Sequence, residues 1–365
     1  MEIKFLKKPF LSALNIGGSM AGHSKVLQIL ECVLIEPCGD SFKISSYDQE
    51  TYVSQNVEYE HIIGEQIPFC VSYRDLKNAV SSISGDYLII ETDGQFLTLK
   101  HQNGEMEFTC GDAQFFPVPV RDLNAVSVNL PSERLFKCIN EAKGFVSTDE
   151  IRLVMTGVYI SVENKMVSIA ATNGTKAYIN EFETDSEENV CAIIPSKSIN
   201  SLLQVLNETD EATVTIGHTN IMVSVYGSEF VARSVEGRYP NVKAIMPNTH
   251  TSEAECNRMD LLASVKRALI ASDSANKISL TFSGVNVEVK AADFNLCKKA
   301  SDNCLCSFAG NDIKIGLNGS YLIDVIGSIV GETIVIRMTE NSRPILLCEK
   351  NEHRKKIVVM PIRLD

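Results

Sequence analysis

A helix-spaced apolar quartet recurs three times in this chain at a constant interval. Leu76, Ala79, Val80 and Ile83 follow the i, i+3, i+4, i+7 spacing of an amphipathic helix. Ile199, Leu202, Leu203 and Leu206 repeat it 123 residues later, and Leu322, Val325, Ile326 and Ile329 repeat it after a further 123. The chain has 365 residues, so three units of this period fill its whole length.

The flanks of the quartets agree with each other. A short apolar run and a serine precede each helix (IPFCVS, AIIPS, IGLNGS), which makes Ser72, Ser196 and Ser320 candidate N-caps. Alternating runs of strand character follow: DYLIIETD, FLTLKHQ and EMEFTC; EATVTIGH, IMVSVYG and EFVARSV; ETIVIRM, PILLCEK and KKIVVMP. The first half of each unit has the same plan. Leu135, Cys138, Ile139 and Ala142 predict a helix in the second unit, Leu262, Val265 and Leu269 one in the third, and Phe10 to Ile16 a weaker one in the first. Strand-like runs follow these too: LQILECVLIE and SFKISSY, IRLVMTGVYISV and MVSIAA, KISLTF and VNVEVKA. An aromatic–proline step, Phe116–Pro117 and Tyr239–Pro240, repeats at the same interval. The expected fold is α+β: three repeated domains, residues 1–123, 124–250 and 251–365, each with two helices packed on antiparallel sheets.

Composition limits the function. With 34 Lys and Arg against 46 Asp and Glu, the formal charge is −12, which disfavours a protein that grips nucleic acid by neutralising many phosphates over its whole surface. No stretch approaches the roughly 18 apolar residues of a membrane helix, and MEIKFLKKPF lacks a signal-peptide core, so a cytoplasmic protein is expected. The eleven cysteines are scattered and contain no CxxC, and the six histidines are isolated, so reduced thiols and no metal or cofactor are expected. GGSMAGHSK at 17–25 has His23 where a phosphate-binding loop requires lysine. The acidic pairs Glu187–Glu188 and Asp149–Glu150 lie in polar loop stretches, where solvated charge accounts for them. No enzyme is indicated.

Three segments, ATNGTKAYIN at 171–180, RSVEGRYPNVKAIMPN at 233–248 and VVMPIRL at 358–364, in a chain of three such units, resemble the bacterial sliding clamp family, the beta subunits of the replicative DNA polymerase. The resemblance spans the chain. It implies a non-enzymatic head-to-tail homodimer, a ring that holds duplex DNA without sequence specificity and tethers the polymerase, clamp loader and repair proteins through short peptides. A ring is retained by topology, which reconciles DNA binding with net negative charge.

The resemblance also assigns residues. Basic side chains on the helices are candidate pore-lining groups: Arg74, Lys77, Arg134, Lys137 with Lys143 beyond, Lys197, Lys266 and Arg267. Taken singly, each is equally a solvated helix face. The last helix carries Asp324 and no base. Two rim loops depart from the family pattern, with Ser24, Lys25 and Gln28 in one and Asp149 and Glu150 in the other, leaving Lys25 and Arg152 as the nearest basic residues for DNA.

A peptide cleft is implied at Met155, Thr172, Gly174, Lys176 and Ala177, at Pro240, Ile245 and Met246, and at Val358, Val359, Met360, Pro361, Ile362, Arg363 and Leu364. Thr175, Lys176 and Ala244 depart from residues common there, and Asp365 adds charge beside it. For the dimer seam the resemblance sets Met106 and Phe108 against Leu269 and Ile270, four residues that would otherwise be plain core. A clamp-like scaffold that binds peptides without loading on DNA is the alternative reading.

Overall fold

The computed structural model describes residues 1–22, 27–122, 124–206, 211–352 and 354–364. One motif, an entering strand, a helix and three antiparallel strands, occurs six times. In the first repeat it is β1 (Glu2–Leu6), α1 (Lys7–Gly17), β2 (Cys32–Cys38), β3 (Ser41–Tyr47) and β4 (Thr51–Glu58). After a short β5 (His61–Ile63) it recurs as β6 (Phe69–Ser72), α2 (Tyr73–Ser82), β7 (Tyr87–Thr92), β8 (Phe96–His101) and β9 (Gly104–Thr109). The second repeat contains β10 (Val126–Pro131), α3 (Ser132–Ala142), β11 (Gly157–Glu163), β12 (Met166–Thr172) and β13 (Lys176–Glu183). Its second half is β14 (Val190–Pro195), α4 (Ser196–Val205), β15 (Glu211–Ile216), β16 (Asn220–Val225) and β17 (Ser228–Arg233). A single turn, α5 (Val242–Ile245), leads to the third repeat: β18 (Ser252–Asn257), α6 (Arg258–Leu269), β19 (Lys277–Ser283), β20 (Asn286–Asp293) and β21 (Lys298–Ala309). The chain closes with β22 (Ile313–Asn318), α7 (Gly319–Ser328), β23 (Thr333–Met338), β24 (Ile345–Glu349) and β25 (Lys355–Val359).

The halves of each repeat exchange their entering strands. β1 pairs with β7 while β6 pairs with β2. The same crossing joins β10 to β15 and β14 to β11, then β18 to β23 and β22 to β19. Neither half completes its sheet alone. All twelve quartet residues are buried, as the helical period requires.

Three local readings are corrected. Only Ser72 caps its helix, accepting from the Asp75 amide at 3.4 Å; Ser196 lies inside α4 after Pro195, and Asn318 rather than Ser320 caps α7. In α6 the buried stripe is Leu261, Val265 and Ala268, with Leu262 and Leu269 half-exposed, because i, i+4, i+7 from Leu261 faces the sheet. The runs that begin LQILE and IRLVMT start as 3-10 turns, Gln28–Glu31 and Glu150–Thr156; in the second, Asp149 accepts from the Ile151 amide at 3.0 Å and favours a turn over a strand.

Closing strands join successive repeats. β17 pairs with β4, giving an eight-stranded sheet, β10-β15-β16-β17-β4-β3-β2-β6. β25 pairs with β13 within a twelve-stranded sheet, whereas β9 ends the five-stranded sheet β5-β1-β7-β8-β9 with β8 as its one neighbour among the described residues. Sheets, rather than repeats, set the two compact units: Met1–Lys137 with Ile194–Glu236, and Cys138–Ile193 with Gly237–Asp365.

Two buried lysines stand at the ends of the β13–β25 pairing, Lys176 opposite Val359 and Lys355 opposite Asn180. They are 5% and 3% exposed. Lys176 Nζ donates to Asp324 Oδ2 at 2.7 Å and lies over the rings of Phe145 and Tyr321 at 5.3 and 5.4 Å. Lys355 Nζ lies 3.1 Å from both Glu141 and Glu349 and donates to the Ser328 carbonyl at 2.9 Å. A buried ammonium without such partners costs several kcal/mol, so any slip of this register is penalised.

Asp324→Ala is therefore expected to lower stability by about 1–2 kcal/mol, the figure reduced because Asp324 is half exposed, while Lys176→Met stays near neutral. Equal losses in urea unfolding of the two variants would contradict this account. All eleven cysteines are free. Burial pushes Cys70 up to about 12 and Cys110 and Cys304 to about 11, so these thiols stay protonated near neutrality. Mass mapping after brief native alkylation is expected to find Cys38, Cys191 and Cys297, the exposed thiols, modified first; early modification of Cys70 would contradict the packing.

Candidate peptide cleft and basic surfaces

The ATNGTKAY segment forms the β12–β13 turn. Asn173 Oδ1 accepts from the amides of Thr175 and Lys176 at 3.0 and 2.9 Å, and Thr172 Oγ1 donates to the Lys176 carbonyl at 2.9 Å. Gly174 has φ +90°, and a Cβ there would lie 3.1 Å from Arg152 Nη1 and 3.6 Å from Met155 Cε. The backbone conformation favours glycine at this position, and the Arg152 guanidinium would have to give by a few tenths of an ångström to admit a side chain.

Two segments attach to this turn. On one, the Tyr239 phenol accepts from the Thr172 amide at 3.1 Å and its ring stacks on Tyr159 at 4.9 Å, which places Pro240. Asn241 caps α5 by accepting from the Ala244 amide at 3.1 Å. Lys243 of α5 pairs with Glu181 of β13 at 2.7 Å. Burial pushes the Glu181 carboxyl up, but Lys243 and the Ser168 hydroxyl together hold it below the usual carboxylate range. On the other, the Met360 amide donates to the Thr175 carbonyl and the Ile362 amide to the Gly316 carbonyl, each at 2.8 Å. Gly316 admits this tail because a Cβ would meet the Ile362 carbonyl oxygen at 2.5 Å.

The expected cleft residues thus divide. Met155, Thr172, Ala177, Met246, Val358 and Val359 are buried beneath the surface. Pro240, Ile245, Met360 and Arg363 are exposed, with Pro361, Ile362 and Leu364 half-buried. Lys176 is brought to the turn but directs its ammonium inward to Asp324, so it leaves little positive charge at the margin. Asp365 lies outside the described residues. Ile151 and Leu153, not among the expected site residues, are 93% and 59% exposed on the 3-10 turn that carries Arg152 and Met155. An apolar run straight after two acids was the available signal, and it read as a strand.

The basic residues fall in both units. In the first, Arg74, Arg134 and Lys137 are exposed, Lys77 donates to the Tyr73 phenol at 3.1 Å, and Lys197 pairs with Glu50. In the second, Lys143 and Lys266 are exposed and Arg267 pairs with Asp302, holding that carboxyl below its usual range. Arg152 pairs with Asp149 at 3.2 Å and packs beside Gly174. Among the described residues no ion pair involves Arg74, Lys137, Lys143 or Lys266. Lys25 lies outside the described residues. Met106 and Phe108 lie on the edge strand β9, half-buried against the first unit's core; Leu269 is half-exposed and Ile270 is 78% exposed at the end of α6. No group of three metal-ligating side chains occurs among the described residues.

Known proteins agree with this architecture. The profile of the DNA polymerase III beta subunit central domain matches residues 129–241, and that of its C-terminal domain matches residues 243–363. Beta sliding clamps from Pseudomonas putida and Pseudomonas aeruginosa are 21% and 22% identical, with all of both chains covered. Among solved structures, the P. aeruginosa sliding clamp bound to griselimycin superimposes with a TM-score of 0.95 at 21% identity, and the Thermotoga maritima beta subunit with 0.91 at 20%, again over all of both chains. With matched domain profiles covering well over half of its length, the chain belongs to the DNA polymerase III beta subunit family.

Proposed function

We propose that this chain is a DNA sliding clamp: a head-to-tail homodimeric ring, half contributed by each copy, that encircles duplex DNA and tethers the replicative polymerase. It acts in the cytoplasm without catalysing a reaction. The observation that carries the reading is family membership over a chain made of three equivalent repeats. The three repeats divide near residues 123 and 250. Exposed Arg74, Arg134, Lys137, Lys143 and Lys266 supply a screened, sequence-independent attraction, with Lys25, Lys77, Arg152, Lys197 and Arg267 as further contacts. Their ion pairs with Glu50, Asp149 and Asp302 moderate Lys197, Arg152 and Arg267, which suits a protein that slides.

Partners dock as short peptides against the β12–β13 turn. Exposed Pro240, Ile245 and Met360 offer apolar contact over the buried floor of Met155, Met246 and Val358. Met106 and Phe108 on one copy, with Leu269 and Ile270 on the other, line the junction between copies. Tethering makes each polymerase release an intramolecular event followed by rebinding at high effective concentration.

Loaded by an active clamp loader, the protein is expected to stay on nicked circular DNA and leave the same DNA once linearised. Equal retention on both forms would point to surface binding, and a peptide-competent dimer that is never retained would favour the scaffold. Deleting Met360 to Asp365 is expected to weaken a labelled Leu–Phe partner peptide at least tenfold, about 1.4 kcal/mol, while the dimer persists. Unchanged peptide affinity would remove the cleft assignment.

A further inference from the structure

The two closures between repeats are built alike, so the first carries a counterpart of the β12–β13 turn. Thr51 of β4 faces Ala232 of β17 as Lys176 of β13 faces Val359 of β25. The turns before these strands match bond for bond: Asp48 accepts from the amides of Glu50 and Thr51 as Asn173 does from those of Thr175 and Lys176, and the Arg233 amide donates to the Glu50 carbonyl as that of Met360 does to Thr175. Tyr47 therefore stands where the second closure has Thr172, Gln49 where it has Gly174, Val231 where it has Val358 and Arg233 where it has Met360. Gln49 even keeps the left-handed backbone, with φ +79° against +90° at Gly174.

These four residues line one cavity of about 240 Å³. Half-buried Tyr47 and buried Val231 give it apolar surface. Pro119 and Val120 form a wall, on the same connection that carries Phe116–Pro117, the counterpart of Tyr239–Pro240. That wall is fixed in the chain itself: Asn220 Nδ2 donates to the Val120 carbonyl at 2.6 Å, Arg121 pairs with Glu229 at 2.8 Å, and the Thr219 amide donates to Asp122 Oδ2 at 2.9 Å. Yet Val118 and Val120 are 71% and 79% exposed, and apolar side chains left in water beside a formed cavity mark an interaction surface. Drug-sized ligands take roughly 300 Å³ or more, so this cavity suits one or two side chains of a longer ligand.

We infer that this cavity is a second peptide-docking site on each chain, for a short linear segment in which an apolar residue is followed by a carboxylate. The inference rests on the peptide-docking reading of the second closure and adds a site of different specificity. The difference lies in charge. Where the cleft has Met360 the cavity has Arg233, whose ion pair with Glu236 at 3.2 Å joins side chains 64% and 72% exposed, a contact that a ligand carboxylate exchanges at little cost. A guanidinium fork also matches a carboxylate with two parallel hydrogen bonds. Glu50, the acid at the cavity, is already engaged by Lys197. The exposed Gln49 carboxamide, standing where Gly174 has no side chain, offers a donor and an acceptor to a peptide backbone. One guanidinium near Glu50 and Glu236 suits a single carboxylate and not a run of phosphates, which sets nucleic acid aside.

Calorimetric titration of the full-length protein tests this with two synthetic peptides, one ending Leu–Phe–Asp–Asp and one ending Leu–Phe–Lys–Lys. The acidic peptide is expected to fill two sites per chain and the basic peptide one. Arg233→Glu and, separately, Val120→Asp are expected to weaken one of the two acidic-peptide sites at least tenfold and leave the other unchanged. Both positions are exposed, and unchanged melting temperatures confirm that the variants fold. Deleting Met360 to Asp365 is expected to remove the other site and keep the one that depends on Arg233. A single site for both peptides, or two sites that neither substitution alters, would overturn the inference and leave the cleft standing. Two sites that survive the deletion, one of them lost with Arg233→Glu, would instead remove the cleft reading and leave the second site.

Discussion

Every repeat ends in a strand with an unused hydrogen-bonding edge, and the architecture follows from covering those edges. An open edge of alternating apolar residues invites uncontrolled association. Here β17 is covered by β4 and β25 by β13, and with β18 against β21 the six half-repeat sheets merge into sheets of eight, twelve and five strands. The β12–β13 turn is tied to the second closure: the strand that begins after Gly174 is the one that receives β25, and the tail beyond β25 is held to the same turn through Thr175.

That closure is specified by charge as well as by shape. Lys176 and Lys355 bring two ammonium groups into the interior, each met by carboxylates, carbonyls or aromatic faces. Apolar side chains in their places would pack as well, but they would not penalise a one-residue slip. The first closure has no buried ammonium among the described residues; Phe230 and Val53 are fully buried opposite each other, the buried Thr51 hydroxyl meets that of Ser198 at 2.6 Å, and the Ser228 hydroxyl donates to Gln55 across the pairing.

Much of this was legible in the chain. The 123-residue interval, the buried quartets and the closing runs DYLIIETD to EMEFTC and their counterparts stand where periodicity places them, because a helix or strand face is a local property of spacing. Asn318, not Ser320, caps α7, and because both are good acceptors the sequence alone does not say which residue begins the helix. At the candidate site, the sequence marks Gly174 and the Pro240 connection but not the exposure of Ile151 and Leu153, because an apolar run carries no sign of which face it presents.

The sequence by itself determined the repeat, the helix faces, the strand alternation and the family, all of which depend on residues near one another or on motif identity. Only the tertiary structure decided that half-repeats exchange their entering strands, that Lys176 turns inward to Asp324 and that Arg152 packs against Gly174. Each depends on partners far apart in the chain, whose pairing is chosen by hydrogen-bond completion and by desolvation of charge, and neither leaves a periodic trace in the order of residues.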